Sequence, residues 1–455
     1  MKKSIALACA AAATAAFATV PNVTNVKMSQ GRTPLVTITY TLDGPAVVTV
    51  DVQTNRGDNT WASIGGENLT SVSGDVNKQV GAGNRTITWS AGEDWPKHAF
   101  SGNDKIKAVV TAWALDATPD YMAASLENAS TVFYYASADT VPGGVTNDMY
   151  KTTWLLMRRI PAQGKLWRMG ISPIDGAAHN WTNGTARCKP QLVQLSQDYY
   201  IGVYPVTQGQ FDMIRAQYPA IKYPYWNATD KNKAPEGDNA GDKKPKPYAR
   251  FDYIRNGTWP GSHDVTATDA DLYGFRQFTG IEFDLPTEAQ WEFACRAGTD
   301  TSVYTGKEWT EENVNEVAFT KSNSGETPHL QDVGQKPPNG FGLYDMIGNI
   351  WEICLDWYCD FYHCGPDSGT HDHAATSLPA GLAYDGVVVD PVGPAIAWDH
   401  DPQNKYRYPR VVKGGCYGDG WQWSGAQTRS TASGQDGWMP LWQGYRMVAP
   451  MGGTW

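Results

Sequence analysis

Two carboxylates, Asp345 and Glu352, straddle Gly348 and Asn349 inside the run Pro338 to Tyr358. Together with the carbonyls between them they could converge on a hard cation, which takes all-oxygen ligands. The simpler reading of the same spacing is a capped turn entering a strand. Farther along, Cys354, Cys359 and Cys364 form a ladder with His363 beside it. Its x4 spacings differ from the x2 knuckle of structural zinc, so disulfides or buried thiols are the better reading. His371 and His373, with His363 or His400, make the nearest histidine cluster and read as a solvated loop. Last come Trp421, Trp423, Trp438 and Trp442, which follow Gly414-Gly415. Exposed indoles there could stack on sugar rings or hold a peptide. Packing of long loops is the competing explanation for most tryptophans.

Something must position these groups. The Pro338–Tyr358 run carries Gly340, Gly342 and Gly348, so its backbone turns repeatedly. It also carries Phe341, Leu343, Tyr344, Met346, Ile350 and Trp351, a core composition. A loop this apolar has to be buried, with its polar groups satisfied by side chains or an ion. Thr207 with Gln210 and Thr287 with Gln290 form capping boxes, which predict helices from 207 and from 287. Another helix is expected over about 268–279, stopped by Gly280. Residues 299–337 read as surface loops and 366–408 as a long variable region. Before all of this, Val20 to Ala114 alternates apolar and polar residues with period two, punctuated by Asp43-Gly44 and Gly83-Asn84. That pattern predicts an all-β, immunoglobulin-like sandwich. No His or Cys occurs between Thr19 and Pro96, so its expected role is adhesion, spacing or docking.

At 455 residues the chain has room for two or three domains. We divide it into a signal peptide (1–18), a sandwich (19–137), a linker (138–150) and a second domain (151–450). A net charge of -10 argues against a nucleic-acid partner, which calls for a basic face. Met1-Lys2-Lys3, an alanine-rich apolar run and Ala16-Phe17-Ala18 read as an export signal, which predicts a periplasmic or extracellular protein. No later run is long enough to span a membrane as a helix. Six cysteines remain after Cys9, compatible with disulfides in an exported chain.

Four phrases stand in order: Tyr199–Thr207, Leu285–Gly298, Gly342–Glu352, and Arg410–Gly415 with Gly444–Val448. Together they closely resemble the sulfatase-modifying-factor family, founded on the formylglycine-generating enzyme, over about residues 150 to 450. The resemblance implies an α+β, C-type-lectin-like fold with little regular structure. It implies a calcium ion held by the Asp345 and Glu352 side chains and the Gly348 and Ile350 carbonyls. It also implies copper on a C-x4-C pair just after the Gly-Gly of the last phrase, oxidising a sulfatase cysteine to formylglycine. Here those two positions are Asp419 and Ser424, and Cys416 falls three residues too early. Neither replaces a soft thiolate, so copper is not expected. The His-x3-His-x-Glu type motif of iron-dependent branches is also missing from the sequence. The expectation is a non-catalytic module binding a glycan or protein. The alternatives are a formylglycine-generating-type oxidoreductase or another metal-dependent oxidase.

Overall fold

The computed structural model describes residues 20–451, except 58–59, 100–103, 173–174, 176–189, 222, 224–233, 256–258, 260–261, 359–386, 394–409 and 433–440. Alternating strands build the N-terminal unit. One sheet runs in the order β1 (Val23–Gln30), β2 (Val36–Leu42), β7 (Gly83–Trp89), β5 (Val72–Gly74). In the other, β3 (Ala46–Asn55) pairs with β4 (Trp61–Ser63), β6 (Lys78–Val80) and β8 (Ile106–Trp113). Period-two alternation places Ile38, Tyr40 and Leu42 of β2 with Val48, Val50 and Val52 of β3 in one core, together with Ile87 and Trp89.

A five-stranded sheet organises the second unit, in the order β10 (Val132–Tyr135), β9 (Tyr121–Ser125), β11 (Trp154–Ile160), β14 (Tyr199–Gly202), β20 (Val448–Pro450). This moves the expected division at residue 137. Strands β9 and β10 pair with each other and with β11, because their small and aromatic residues (Ala123, Ala124, Tyr135) complete the second unit's core. The expected linker 138–150 is packed too, with Val141 and Tyr150 buried. Tyr134 N–H, which donates to Asn77 O at 2.8 Å, ties the two units.

A three-stranded sheet joins β12 (Leu166–Met169), β13 (Gln191–Gln194) and β16 (Val388–Val389). A four-stranded sheet, in the order β18 (Arg429–Ala432), β17 (Arg410–Lys413), β15 (Trp351–Trp357), β19 (Gln443–Gly444), carries the C-terminal phrases. Helices are short. In α1 (Gln208–Gln217) and α3 (Glu288–Arg296) the expected capping boxes form, each Thr hydroxyl accepting from the backbone three residues on. Helix α2 (Asp271–Thr279) ends at Gly280 in the left-handed conformation. Residues 299–337 are not simply surface. They include α4 (Glu311–Val317), and Val303, Tyr304, Trp309 and Leu330 are buried. Two large apolar clusters stand out among those of this unit. One packs α1 and α2 against Tyr200, Trp351 and Ile353; the other packs α3 against Trp309, Leu343, Met346 and Val411.

Candidate functional site

The Pro338–Tyr358 run and the Gly414 loop form one structure. Gly348 N–H donates to Gly414 O at 2.8 Å, and Tyr417 N–H to Asn349 O at 3.0 Å. Asp345 and Asn349 adopt left-handed φ of 53° and 61° to let the chain double back. Asn349, fully buried, trades bonds with Gln331: its Oδ1 accepts from Gln331 N, and its Nδ2 donates to Gln331 O, both at 3.1 Å. Gly415 sits at φ 84°, where an added Cβ would lie 2.5 Å from Trp423 O and 2.6 Å from Ser424 Oγ. Only glycine fits there.

The expected calcium ligands are turned to other partners. Both oxygens of Glu352 face Arg446, whose Nε and Nη2 approach to between 2.8 and 3.2 Å, and Oε2 also accepts from Trp291 Nε1 at 2.6 Å. Asp345 Oδ2 accepts from Gly334 N–H at 2.7 Å, and Gly348 O accepts from Ile350 N–H at 2.7 Å. As arranged, these groups do not fit a calcium ion. A buried carboxylate already neutralised by a bidentate guanidinium has no charge to give one. Burial instead pushes Asp345 up to about 6. Arg446, in the Gly444–Val448 phrase, is a partner that the spacing of Asp345 and Glu352 does not reveal.

The copper positions are equally committed. Asp419 Oδ2 accepts from Trp351 Nε1 at 2.7 Å and lies 3.2 Å from Cys416 Sγ. Ser424 is buried, and its Oγ meets no hydrogen-bond partner among the described residues. Burial, reinforced by the Asp419 charge, pushes the Cys416 thiol well up, away from the thiolate that metals need. Cys295, Cys354 and Cys416 are free buried thiols, while Cys188, Cys359 and Cys364 lie outside the described residues, as do His363, His371, His373 and His400. Among the described residues no group of three or more His, Cys, Asp or Glu could hold a metal. This donor set does not fit a copper dithiolate.

The tryptophans separate. Trp423 is 41% exposed. Trp421 is half-buried, meeting Trp309 edge-to-face with centroids 5.9 Å apart. Trp442 packs on Leu330, Ile350 and Tyr417. Trp438 lies outside the described residues.

Beneath the loop runs an ion network that spacing alone could not show. Lys413 Nζ reaches Glu292 Oε2 at 2.8 Å, Arg429 reaches Glu288 at 2.7 Å, and Arg296 reaches Glu292 at 2.7 Å, all buried. Burial works to raise Glu292, but Lys413 and Arg296 outweigh it and hold the carboxyl low. Asp356, whose Oδ2 accepts from Glu288 N–H, is pushed up to about 7 by burial and then by the Glu288 charge.

The family model of the sulfatase-modifying factor enzyme 1-like domain matches residues 172–450. The chain belongs to this family. It is 30% identical over 175 residues to the formylglycine-generating enzyme of Thermomonospora curvata, covering 33% of this chain and 49% of that one. It is 35% identical over 102 residues to the mouse formylglycine-generating enzyme, covering 19% of this chain and 27% of that one. The chain therefore spans less than half the length of these curated relatives. Among solved structures, Treponema denticola variable protein 1 aligns with a TM-score of 0.42 and 21% identity, covering 66% of this chain and 96% of that one. No helix among the described residues is long and apolar enough to cross a membrane.

Proposed function

We propose that this protein is a non-catalytic, exported member of the family that binds a glycan or protein ligand through the Gly414 loop. The observation that carries the reading is the fate of the copper pair. One position holds a carboxylate fastened to the Trp351 indole, and the other a buried hydroxyl. Neither donates a soft thiolate, and Cys416, the thiol beside Asp419 among the described residues, is buried with a raised pKa. What the loop offers outward is Trp423, a large flat ring suited to stacking on a sugar face or filling a peptide pocket. The strand order of the first sheet in the N-terminal unit, with β2 between β1 and β7 and β5 beyond, supports an immunoglobulin-like module serving as spacer or dock.

Glycan and peptide arrays probed with the mature protein test the reading. The expected result is a defined set of ligands that Trp423→Ala loses. Unchanged binding by that variant would remove the loop as the site. Formylglycine-generating activity is the alternative that the relatives' names raise. Incubation with copper and a sulfatase-motif peptide is expected to leave the peptide cysteine's mass unchanged.

A further inference from the structure

A cleft of about 250 Å³ opens at one end of the N-terminal unit, outside the residues that the family model matches. It lies where β1, β2 and β7 of one sheet meet the start of β8 in the other, beside the turn through residues 91–98. Met28, Val36, Trp89 and Ile106 give it apolar walls. Val36 and Trp89 belong to the core of the unit, and Met28 and Ile106 pack on that core, so the sheets themselves hold the cleft open.

Trp89 is the fixed wall. It is buried, and its Nε1 donates to Asn68 O at 3.1 Å and to Asp94 Oδ2 at 3.0 Å. The same carboxylate accepts from Thr70 Oγ1 at 2.6 Å and from Ser71 N–H at 2.8 Å, so the charge of Asp94 is spent on holding this end together. Asp94 does not line the cleft, and neither does any other Asp or Glu among the described residues.

Lys97 supplies the opposite sign. It lines the cleft, is exposed, and has no ion-pair partner among the described residues. Its backbone sits in the left-handed region at φ 66°, which a lysine rarely adopts. That turn brings the rings of Trp95 and His98 into a stack, with centroids 3.9 Å apart and 12° between planes. A strained residue that presents an unbalanced charge beside apolar walls is a mark of a binding site. Size narrows the occupant. An apolar cavity of about 150 Å³ holds benzene, so this cleft has room for one aromatic ring and a short arm. A cation would meet Lys97 with no carboxylate to offset it, and a sugar would leave the apolar walls unmatched. A bare inorganic anion would gain only an exposed ion pair, which is worth little in water.

We propose that this cleft binds a small aryl carboxylate. The ring lies against Met28, Val36 and Ile106, and the carboxylate pairs with the Lys97 ammonium. The N-terminal unit is then a receptor in its own right rather than only a spacer or dock. This site is independent of the Gly414 loop and of the glycan or protein ligand proposed there.

The test uses the intact chain and four probes: 3-phenylpropanoate, the neutral 3-phenylpropanol, 3-phenylpropylammonium and the ringless propanoate, read by saturation-transfer NMR and calorimetry. 3-Phenylpropanoate is expected to bind, and propanoate is not. The alcohol should bind about threefold more weakly, since an exposed ion pair adds little, and the ammonium probe more weakly still. Lys97→Glu, at an exposed position, should reverse the order and make the ammonium probe the tightest. Met28→Ala should weaken all three aryl probes severalfold and keep their order. The proposal falls if 3-phenylpropanoate does not bind, or if propanoate or the ammonium probe binds as tightly. It falls equally if Lys97→Glu leaves the order unchanged, or if folded Met28→Ala binds the aryl probes as the parent does. Should Met28→Ala not fold, the probe series on the parent and on Lys97→Glu still decides.

Discussion

Replacing Arg446 with Met should be among the most damaging single changes in this chain. Arg446 is fully buried. Its guanidinium meets both Glu352 oxygens, and it also donates to Gly202 O and Tyr344 O, each at 2.7 Å. Removing one partner of a buried pair leaves the other charge uncompensated, which costs about 3–5 kcal/mol. Each orphaned carbonyl adds about 1–3 kcal/mol. Even the lower end is on the order of 5 kcal/mol, comparable with the whole stability of many domains. Urea unfolding followed by tryptophan fluorescence should show the second unit's transition shifted by that amount or lost. Glu352→Gln alone should cost less, since an amide can keep the Trp291 bond and accept from arginine. The double variant should be more stable than the sum of the singles predicts, with a coupling of at least ~2 kcal/mol. The same proteins settle the calcium question. If Glu352 were a calcium ligand, Arg446→Met would free it and make stability strongly calcium-dependent. An Arg446→Met protein within ~1 kcal/mol of the parent, or strict additivity in the cycle, would refute the reasoning.

Asp356 titrates the wrong way for stability at neutral pH. Its folded pKa, about 7, lies above the usual carboxylate value, so the folded state holds a proton that the unfolded state releases. Its contribution therefore falls as pH rises from about 4 to about 7, by about 1.4 kcal/mol per unit. Asp356→Asn should gain on the parent by that slope across the window, measured by unfolding at several pH values; parallel pH profiles would contradict it. Gly415→Ala should cost several kcal/mol, combining a left-handed φ with a Cβ 2.5 Å from Trp423 O, and its melting temperature checks this. Paired replacement of Asp419 and Ser424 by Cys should create uptake of one copper(I) per chain, read by competition with a chromophoric chelator. The parent should take up none.

Legibility followed range. Capping boxes at Thr207 and Thr287, the left-handed stop at Gly280 and the alternating strands of the first unit are local, and spacing exposes them. The four phrases carried the family. The partner of Glu352 was not legible, because Arg446 sits 94 positions away and a carboxylate beside a tight turn looks the same to a cation or a guanidinium. Nor was the domain boundary: β9 and β10 are patterned like sandwich strands, and only their pairing with β11 assigns them elsewhere. The Lys413–Glu292 pair joins two phrases and the Arg429–Glu288 pair joins one phrase to a residue outside all four, and each of these residues reads as ordinary surface charge when taken singly.

The Arg446–Glu352 pair also fixes when this chain can fold. Glu352 cannot be buried at low cost until residue 446 exists, and β14 gains its second neighbour only when Val448–Pro450 arrive to pair with Tyr199–Ile201. The core of the second unit is thus closed by Arg446 and Val448–Pro450, across contacts of high sequence separation, which fold slowly. A growing chain therefore keeps the second unit open until residues 446–450 have been made. A chain cut before Arg446 should leave a collapsed but uncommitted second unit rather than a slightly weakened one.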